Sequence, residues 1–124
     1  MKLTIYGELY SSKNSRQGIV VKGRIIPIKS KKSKAQEADL HYQLSALRKQ
    51  FQQMIDGKEY PLRMKIKLYR RTHGIFDYCN ITQGMFDAMV RAGLLPDDDA
   101  RHLIPVYEQY EKDPERPRTE IEIL

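Results

Sequence analysis

The chain predicts an α+β domain, a mixed β-sheet of about four to six strands with two main helices packed on one face. Three patterns carry that expectation. Residues 62–68 alternate strictly, Leu62, Met64, Ile66 and Leu68 pointing one way and Arg63, Lys65 and Lys67 the other. Leu40, Leu44, Leu47, Phe51 and Met54 form one stripe at helical spacing, and Ile81, Met85 and Met89 with Phe86 and Val90 form a second. A length of 124 residues suits one domain, 1–124, with a single core.

In chain order, Leu3, Ile5 and Leu9 alternate with Thr4, Tyr6, Glu8 and Tyr10 across Gly7, which reads as a first strand. A polar loop over 11–18 follows. Residues 19–21 and 24–26 are short β-branched arms around Lys22-Gly23, the pattern of a hairpin, with Pro27 ending the second arm or keeping it at an edge. Ser33-Lys34-Ala35-Gln36 has the form of a capping box, Ser33 as N-cap and Gln36 reaching back, and the helix it opens stops at Gly57. His41 lies beside its apolar stripe as a partly exposed structural residue. Pro61 opens the alternating strand, and the basic loop Arg70-Arg71-Thr72-His73-Gly74 leads out of it. A helix over 80–92 is stopped by Gly93 in the left-handed conformation. Residues 102–107 read as a strand edged by Pro105. Thr119, Ile121 and Ile123 alternate in a last strand, so that the chain would end in a hairpin.

Composition narrows the partners. A formal charge of +6 favours a polyanion. No apolar run approaches the roughly 20 residues that span a bilayer, so no membrane partner is expected. The opening residues carry no signal-peptide core, and a single cysteine excludes an internal disulfide; together they suggest a cytoplasmic location. Between Leu9 and Gln36 stand Lys13, Arg16, Lys22, Arg24, Lys29, Lys31, Lys32 and Lys34 with no acid among them. Such a run is either a solvated basic surface or a phosphate-tracking arm whose binding releases counterions. The cationic side of the 62–68 strand must likewise meet solvent or phosphate.

Against this basic background the acids concentrate at two places. Asp77 stands at the entrance to the 80–92 helix, and Asp97-Asp98-Asp99 follow its exit. Carboxylates so placed either cap the helix and line a solvated turn or hold a hard divalent cation. Asp87, within the helix, reads as a partner for a basic group. Phe76 and Tyr78 belong to the core or rim, or stack on an unpaired base. His73, alone in its loop, is more simply a bystander than a base or ligand.

Asp77-x-x-Asn80, a helix bearing Asp87-Ala88-Met89, then Gly93 and Asp97-Asp98, resembles the RusA family of Holliday-junction resolvases. That family's signature reads Asp-x-Asp-Asn, a Lys three residues after the Asn, Asp-Ala-Leu, Gly and an Asp-Asp pair. A weaker likeness extends to Lys13-Asn14 and the Ser/Lys-rich lead into the first helix. The resemblance implies a RusA-like fold and an endodeoxyribonuclease that resolves Holliday junctions in DNA recombination and repair. It implies Mg²⁺ as cofactor (Mn²⁺ possible), branched DNA as substrate and a homodimer as the working form, in a family frequent in phage. By position, Asp77 and Asp98 would be catalytic, and Asp77, Asp98 and Asp97 would hold the metal. Lys13, Arg16, Lys31, Lys32, Lys34, Lys65, Lys67, Arg70 and Arg71 would bind the DNA backbone.

Two motif positions are altered: Cys79 stands at the second motif Asp and Gln83 at the motif Lys. A soft thiol is a poor partner for Mg²⁺, and an amide cannot offset developing negative charge as an ammonium does. Asp99 is an extra acid that could partly compensate, and Arg71 or Lys67 could replace the lysine. The same resemblance therefore also implies an alternative, a RusA-fold protein that binds branched DNA without cleaving it. Geometry constrains either version. A helix over 80–92 is about 18 Å long, and the link from Gly93 to Asp98 reaches at most roughly 17 Å. Asp98 returns beside Asp77 only along a nearly straight link, from a shorter helix, or across a dimer.

Overall fold

The computed structural model describes residues 1–11, 16–21, 23–29 and 31–124, with backbone alone over 16–21 and 24–29. The elements run β1 (Leu3–Tyr6), β2 (Arg16–Val21), β3 (Arg24–Lys29), α1 (Lys31–Ala46), α2 (Arg48–Ile55), β4 (Leu62–Arg70), α3 (Tyr78–Arg91), β5 (Leu103–Tyr107), β6 (Glu111–Lys112) and β7 (Arg118–Ile123). The class is the expected one, α+β with a mixed sheet. The main sheet has five strands in the order β1-β7-β4-β5, with β6 also paired to β4. Pairings of β1 with β7 and of β7 with β4 are antiparallel, and those of β5 and β6 with β4 are parallel. The hairpin is a separate antiparallel pair, β2 with β3, turning at Gly23 with φ +77°. Pro27 pairs with Gly18 without ending β3, which the open edges of a two-stranded ribbon permit.

The alternation in β4 decides which face is covered. Leu62, Met64, Ile66 and Leu68 are buried, joined by Leu3 and Ile5 of β1 and Ile121 of β7. On them lie Leu40 and Leu44 of α1, Phe51 and Met54 of α2, and Ile81, Met85 and Met89 of α3. The opposite face is an ion-pair lattice. Lys65 meets Glu122 at 3.0 Å and Glu108 at 3.4 Å, Lys67 meets Glu111 at 2.8 Å, and Lys2 meets Glu120 at 3.6 Å. Lys65 lies opposite Glu122 and Lys67 opposite Glu120 in the β4–β7 register. This corrects the expectation that the cationic side of the strand faces solvent or phosphate: the acids of its neighbours meet it.

Three other expectations need correcting. The helix predicted to start after Ser33 begins at Lys31, leaving Ser33 buried in the first turn. It also divides at Leu47, whose N–H is shared between the carbonyls of Gln43 and Leu44, so that α1 and α2 each bury part of the predicted stripe. The closing hairpin does not form, because β4 lies between β5 and β7. Pairing β5 in parallel with β4 completes the hydrogen bonding of the buried central strand and requires the crossover through α3.

Gln36, expected to cap its own helix, reaches the sheet margin instead. Its amide accepts from the N–H of Tyr10 and donates to the Tyr10 carbonyl, both at 3.1 Å. Seven residues on, Gln43 does the same for Tyr6, at 2.8 and 2.9 Å. Seven further, Gln50 donates to the Lys2 carbonyl at 3.0 Å. Helix side chains thus satisfy outward backbone groups at the end of edge strand β1 and on both sides of it. Gln43→Ala loses both bonds to Tyr6 and a third, exposed one to Asp39, and should lower stability by about 1–2 kcal/mol and speed exchange of the Tyr6 amide. Denaturant unfolding and hydrogen exchange would check this, with exposed Tyr42→Ala as a near-neutral control.

Candidate functional site

The unit β4–α3–β5 places the start of α3 at the carboxyl end of β4, where open sheets present their loops to ligands. A cleft of about 250 Å³ lies there, lined by Tyr10, Ser11, Lys32, Arg70, Ile75, Phe76, Asp77, Asn80 and Ile81. Asp77 is the N-cap of α3, extended at φ −118° and ψ 126°, and its Oδ1 accepts from the N–H of Cys79 at 2.9 Å. The capping role weighed from the sequence is therefore real, and it leaves the second carboxylate oxygen outside that bond. At the other end Gly93, at φ +82°, closes a Schellman stop in which Leu94 N–H bonds the Met89 carbonyl and Gly93 N–H that of Val90.

After that stop the chain buries Leu94 and Leu95 and doubles back along α3. It returns Asp98 to Gln83, not to the helix entrance. Gln83 Nε2 donates to Asp87 Oδ1 at 3.1 Å and lies 3.4 Å from Asp98 Oδ2. Gln83 is six residues past Asp77, about 9 Å of helical rise. Asn80, Gln83 and Asp87 follow Asp77 at spacings of three and four, so all four lie along one side of α3. The pair that the structure brings together is Asp98 with Asp87, through the Gln83 amide. Asp77 stands upstream on the same stripe. Asp87 therefore has a neutral amide, not a basic group, as its partner.

Charge in the acid run is spent unequally. Asp99 is tied to Arg101 Nη2 and to His102 Nδ1, each at 2.7 Å, and the Arg101 and His102 bonds hold its carboxyl down at about 2. It is thus committed to its own turn and does not supplement the Asp98 site. Asp97 Oδ1 accepts from the N–H of Asp98 at 2.8 Å. Asp98 is held above the ordinary 3.8, first by partial burial and next by the negative charge of Asp87.

Among the described residues no group of three or more His, Cys, Asp or Glu side chains is placed to hold a metal ion. Mg²⁺ is commonly held by one or two carboxylates with water completing its shell. Asp98 and Asp87, hard oxygen donors crowded with like charge, fit that chemistry; the exposed thiol of Cys79 does not.

The cations divide into three sets. Lys31, Lys32 and Lys34 are exposed in the first turn of α1, with Lys32 Nζ 4.2 Å from the Tyr10 ring centroid and the Tyr10 hydroxyl donating to the Lys32 carbonyl at 2.6 Å. Arg70 is structural: Nη1 donates to the Leu9 carbonyl at 2.9 Å, Nη2 lies 3.7 Å from Glu8, and the guanidinium carbon lies 4.3 Å from the Phe76 ring centroid. The Arg71 side chain, 61% exposed, lies 3.7 Å from Glu8 Oε2, and its backbone N–H donates to Glu8 Oε1 at 3.0 Å. Lys65 and Lys67 belong to the lattice on the far face. The side chains of Lys13, Arg16, Lys22, Arg24 and Lys29 lie outside the described residues.

Around the cleft, Phe76 packs edge-on against Tyr78 and Tyr110, Tyr78 lies against Tyr107, and the Tyr107 hydroxyl meets Thr82 Oγ1 at 2.7 Å. His73 is exposed, with Nδ1 3.2 Å from the Tyr110 hydroxyl. His41 is exposed as well. Tyr10 as a cleft residue was not legible in the sequence, since nothing local says that a residue beyond the first strand meets α1.

No family model matches the chain, and no curated protein matches it.

Two titrations follow. The folded chain binds the Asp98 proton more tightly than the unfolded chain, so this acid supports folding at low pH and opposes it as pH rises through its native value. Asp99 behaves oppositely: its support is complete above 3.8 and is lost as pH falls through about 2. Carboxyl ¹³C NMR should show Asp87→Asn lowering the Asp98 midpoint. Asp99→Asn should flatten the fall of Tm between about pH 4 and 2, measured by thermal melts.

Proposed function

We propose that this chain is a RusA-like, Mg²⁺-dependent endodeoxyribonuclease that acts as a homodimer on Holliday junctions and other branched DNA, in recombination and repair in the cytoplasm. The observation that carries the reading is a cleft that sets Asp77 and Asn80 of the α3 entrance against Lys32 of the α1 first turn, with Asp87 and Asp98 further along the same side of α3. Phosphodiester cleavage needs both: cations to seat the backbone and carboxylates for the reacting centre. Lys32 lines the cleft, Lys31 and Lys34 are exposed in the same helical turn and Arg71 in the loop after β4, and each phosphate they would neutralise makes binding more salt-dependent.

Asp98, with Asp87 by proximity and its neighbour Asp97, would hold Mg²⁺, while Asp77, named by motif position, stands upstream on the same side of α3 and outside that group. When bound, the metal would polarise a phosphoryl oxygen and make its water more acidic. The protein's own part is to keep Asp98 incompletely compensated, so that a cation relieves its repulsion with Asp87. Gln83 orients both carboxylates, and Asn80 presents an amide on the same wall.

A specific observation favours a second reading. The motif lysine is replaced by Gln83, whose amide is already engaged with both acids, and Cys79 supplies no hard donor. A RusA-fold protein that binds branched DNA without cutting it would have these features.

With Mg²⁺ or Mn²⁺, purified protein should nick synthetic four-way junctions, and Asp98→Asn should slow nicking about 100-fold or more while leaving binding intact. Lys32→Ala should weaken binding and reduce the salt slope by about one. Binding without nicking, with activity gained by a Cys79→Asp, Gln83→Lys double variant, would select the second reading. Absence of any salt-sensitive junction binding would reject both.

A further inference from the structure

Residues 71–77, between β4 and α3, hold an apolar side chain in full contact with solvent. Ile75 is 106% exposed, the highest value among the exposed large hydrophobic residues described. Its neighbours are fixed on both sides. Gly74 N–H donates to Thr72 Oγ1 at 3.1 Å, closing the turn before it. Phe76, after it, is wedged between the Arg70 guanidinium and the rings of Tyr78 and Tyr110, with ring centroids 5.0 and 4.9 Å away. Asp77 then begins α3 as its cap. Ile75 is therefore a tip on a braced base, and it lines the same cleft as Lys32, Arg70 and Asp77.

We infer that Ile75 is a wedge that enters the branch point of bound DNA and displaces a base from its stack, which rests on the DNA reading proposed above. Exposing isoleucine to water costs free energy, and a partner that covers the side chain offsets that cost. The surroundings say which partner. Lys32 and Arg70, which line the cleft with Ile75, favour an anion, while Ile75 itself needs an apolar surface. A nucleic-acid branch offers both, phosphates outside and base faces at the point where stacking is interrupted. Apolar side chains that part base steps act this way, and the cost of unstacking is least where pairing is already broken. Bracing matters because a tip that yields cannot hold two bases apart. The Phe76 aromatic contacts and the Arg70–Leu9 hydrogen bond supply that stiffness. Ile75 thus confers preference for branches, whereas the lysines bind any backbone.

The test uses four-way junctions carrying 2-aminopurine at the branch or within an arm, with the full-length chain and no divalent metal. Wild-type protein should raise branch fluorescence about twofold or more and leave the arm probe unchanged. Ile75→Ser should abolish the rise and weaken junction binding about 3- to 10-fold, with duplex binding unaltered. Ile75→Phe should retain it. Junction binding by the wild type without a branch signal, or a full signal from Ile75→Ser, would overturn the wedge while leaving the DNA reading intact. A change in particle mass for Ile75→Ser in light scattering would also overturn it, marking Ile75 as a contact between protein copies. No junction binding at all, seen as flat anisotropy, would remove the DNA reading and the wedge together. Unchanged thermal melts should accompany both variants, because the side chain is solvated.

Discussion

The placement of everything near the cleft depends on three glutamines. Gln36, Gln43 and Gln50 recur every seven residues along α1 and α2, so about two helical turns separate each from the next and all three face one way. They meet backbone at Tyr10, Tyr6 and Lys2, four residues apart on the chain that forms β1 and its continuation. An amide side chain carries a donor and an acceptor, the complement of a peptide unit on an open strand edge. The contact fixes not only that the helices lie on the sheet, which apolar burial alone would achieve, but how far along it they sit. Hydrophobic packing tolerates sliding; paired hydrogen bonds at 2.8–3.1 Å do not. Through Gln36 and the Tyr10–Lys32 contact, that register sets where the first turn of α1 meets the cleft.

The opposite wall is set by α3, and its two ends do different electrostatic work. The partial positive charge of the helix start is partly satisfied by Asp77, whose carboxylate is a cap before it is anything else. Asp98 has no such outlet. It is drawn into a half-buried position beside Asp87 with only a neutral amide between them, and its proton affinity rises accordingly. An arrangement that raises the free energy of a charge in the resting protein is costly unless something later relieves it. Asp99, one residue away, shows the contrast: with Arg101 and His102 it forms a self-contained turn.

The sequence revealed those features whose cause is local. The alternation of Leu62, Met64, Ile66 and Leu68, the stripe from Leu40 to Met54 and the glycine stop at Gly93 are all decided within a few residues, and each appears in the fold. Features that depend on which strand meets which were hidden. Lys65 and Lys67 look like free cations until β7 is known to lie beside β4 and to bring Glu122 and Glu120 opposite them. The last strands read as a hairpin because nothing in either says that β4 separates them. Gln36 fits a capping box three residues after Ser33, yet the partner that wins is a distant backbone unit needing both a donor and an acceptor. Asp98 could be placed near α3 by chain length alone, but its meeting with Gln83, not Asp77, depends on the burial of Leu94 and Leu95, which turns the link back early.

Sheet margins have a bearing on behaviour at high concentration. At one rim the glutamine side chains occupy peptide groups of β1 that another chain would need in order to add a strand. At the other rim Pro105 sits midway along β5 and lacks the N–H that continued pairing requires. Neither border presents an unbroken row of donors and acceptors. Strand-by-strand polymerisation into fibrils is therefore disfavoured at both ends of the sheet, so the chain can be concentrated without its main sheet seeding precipitation.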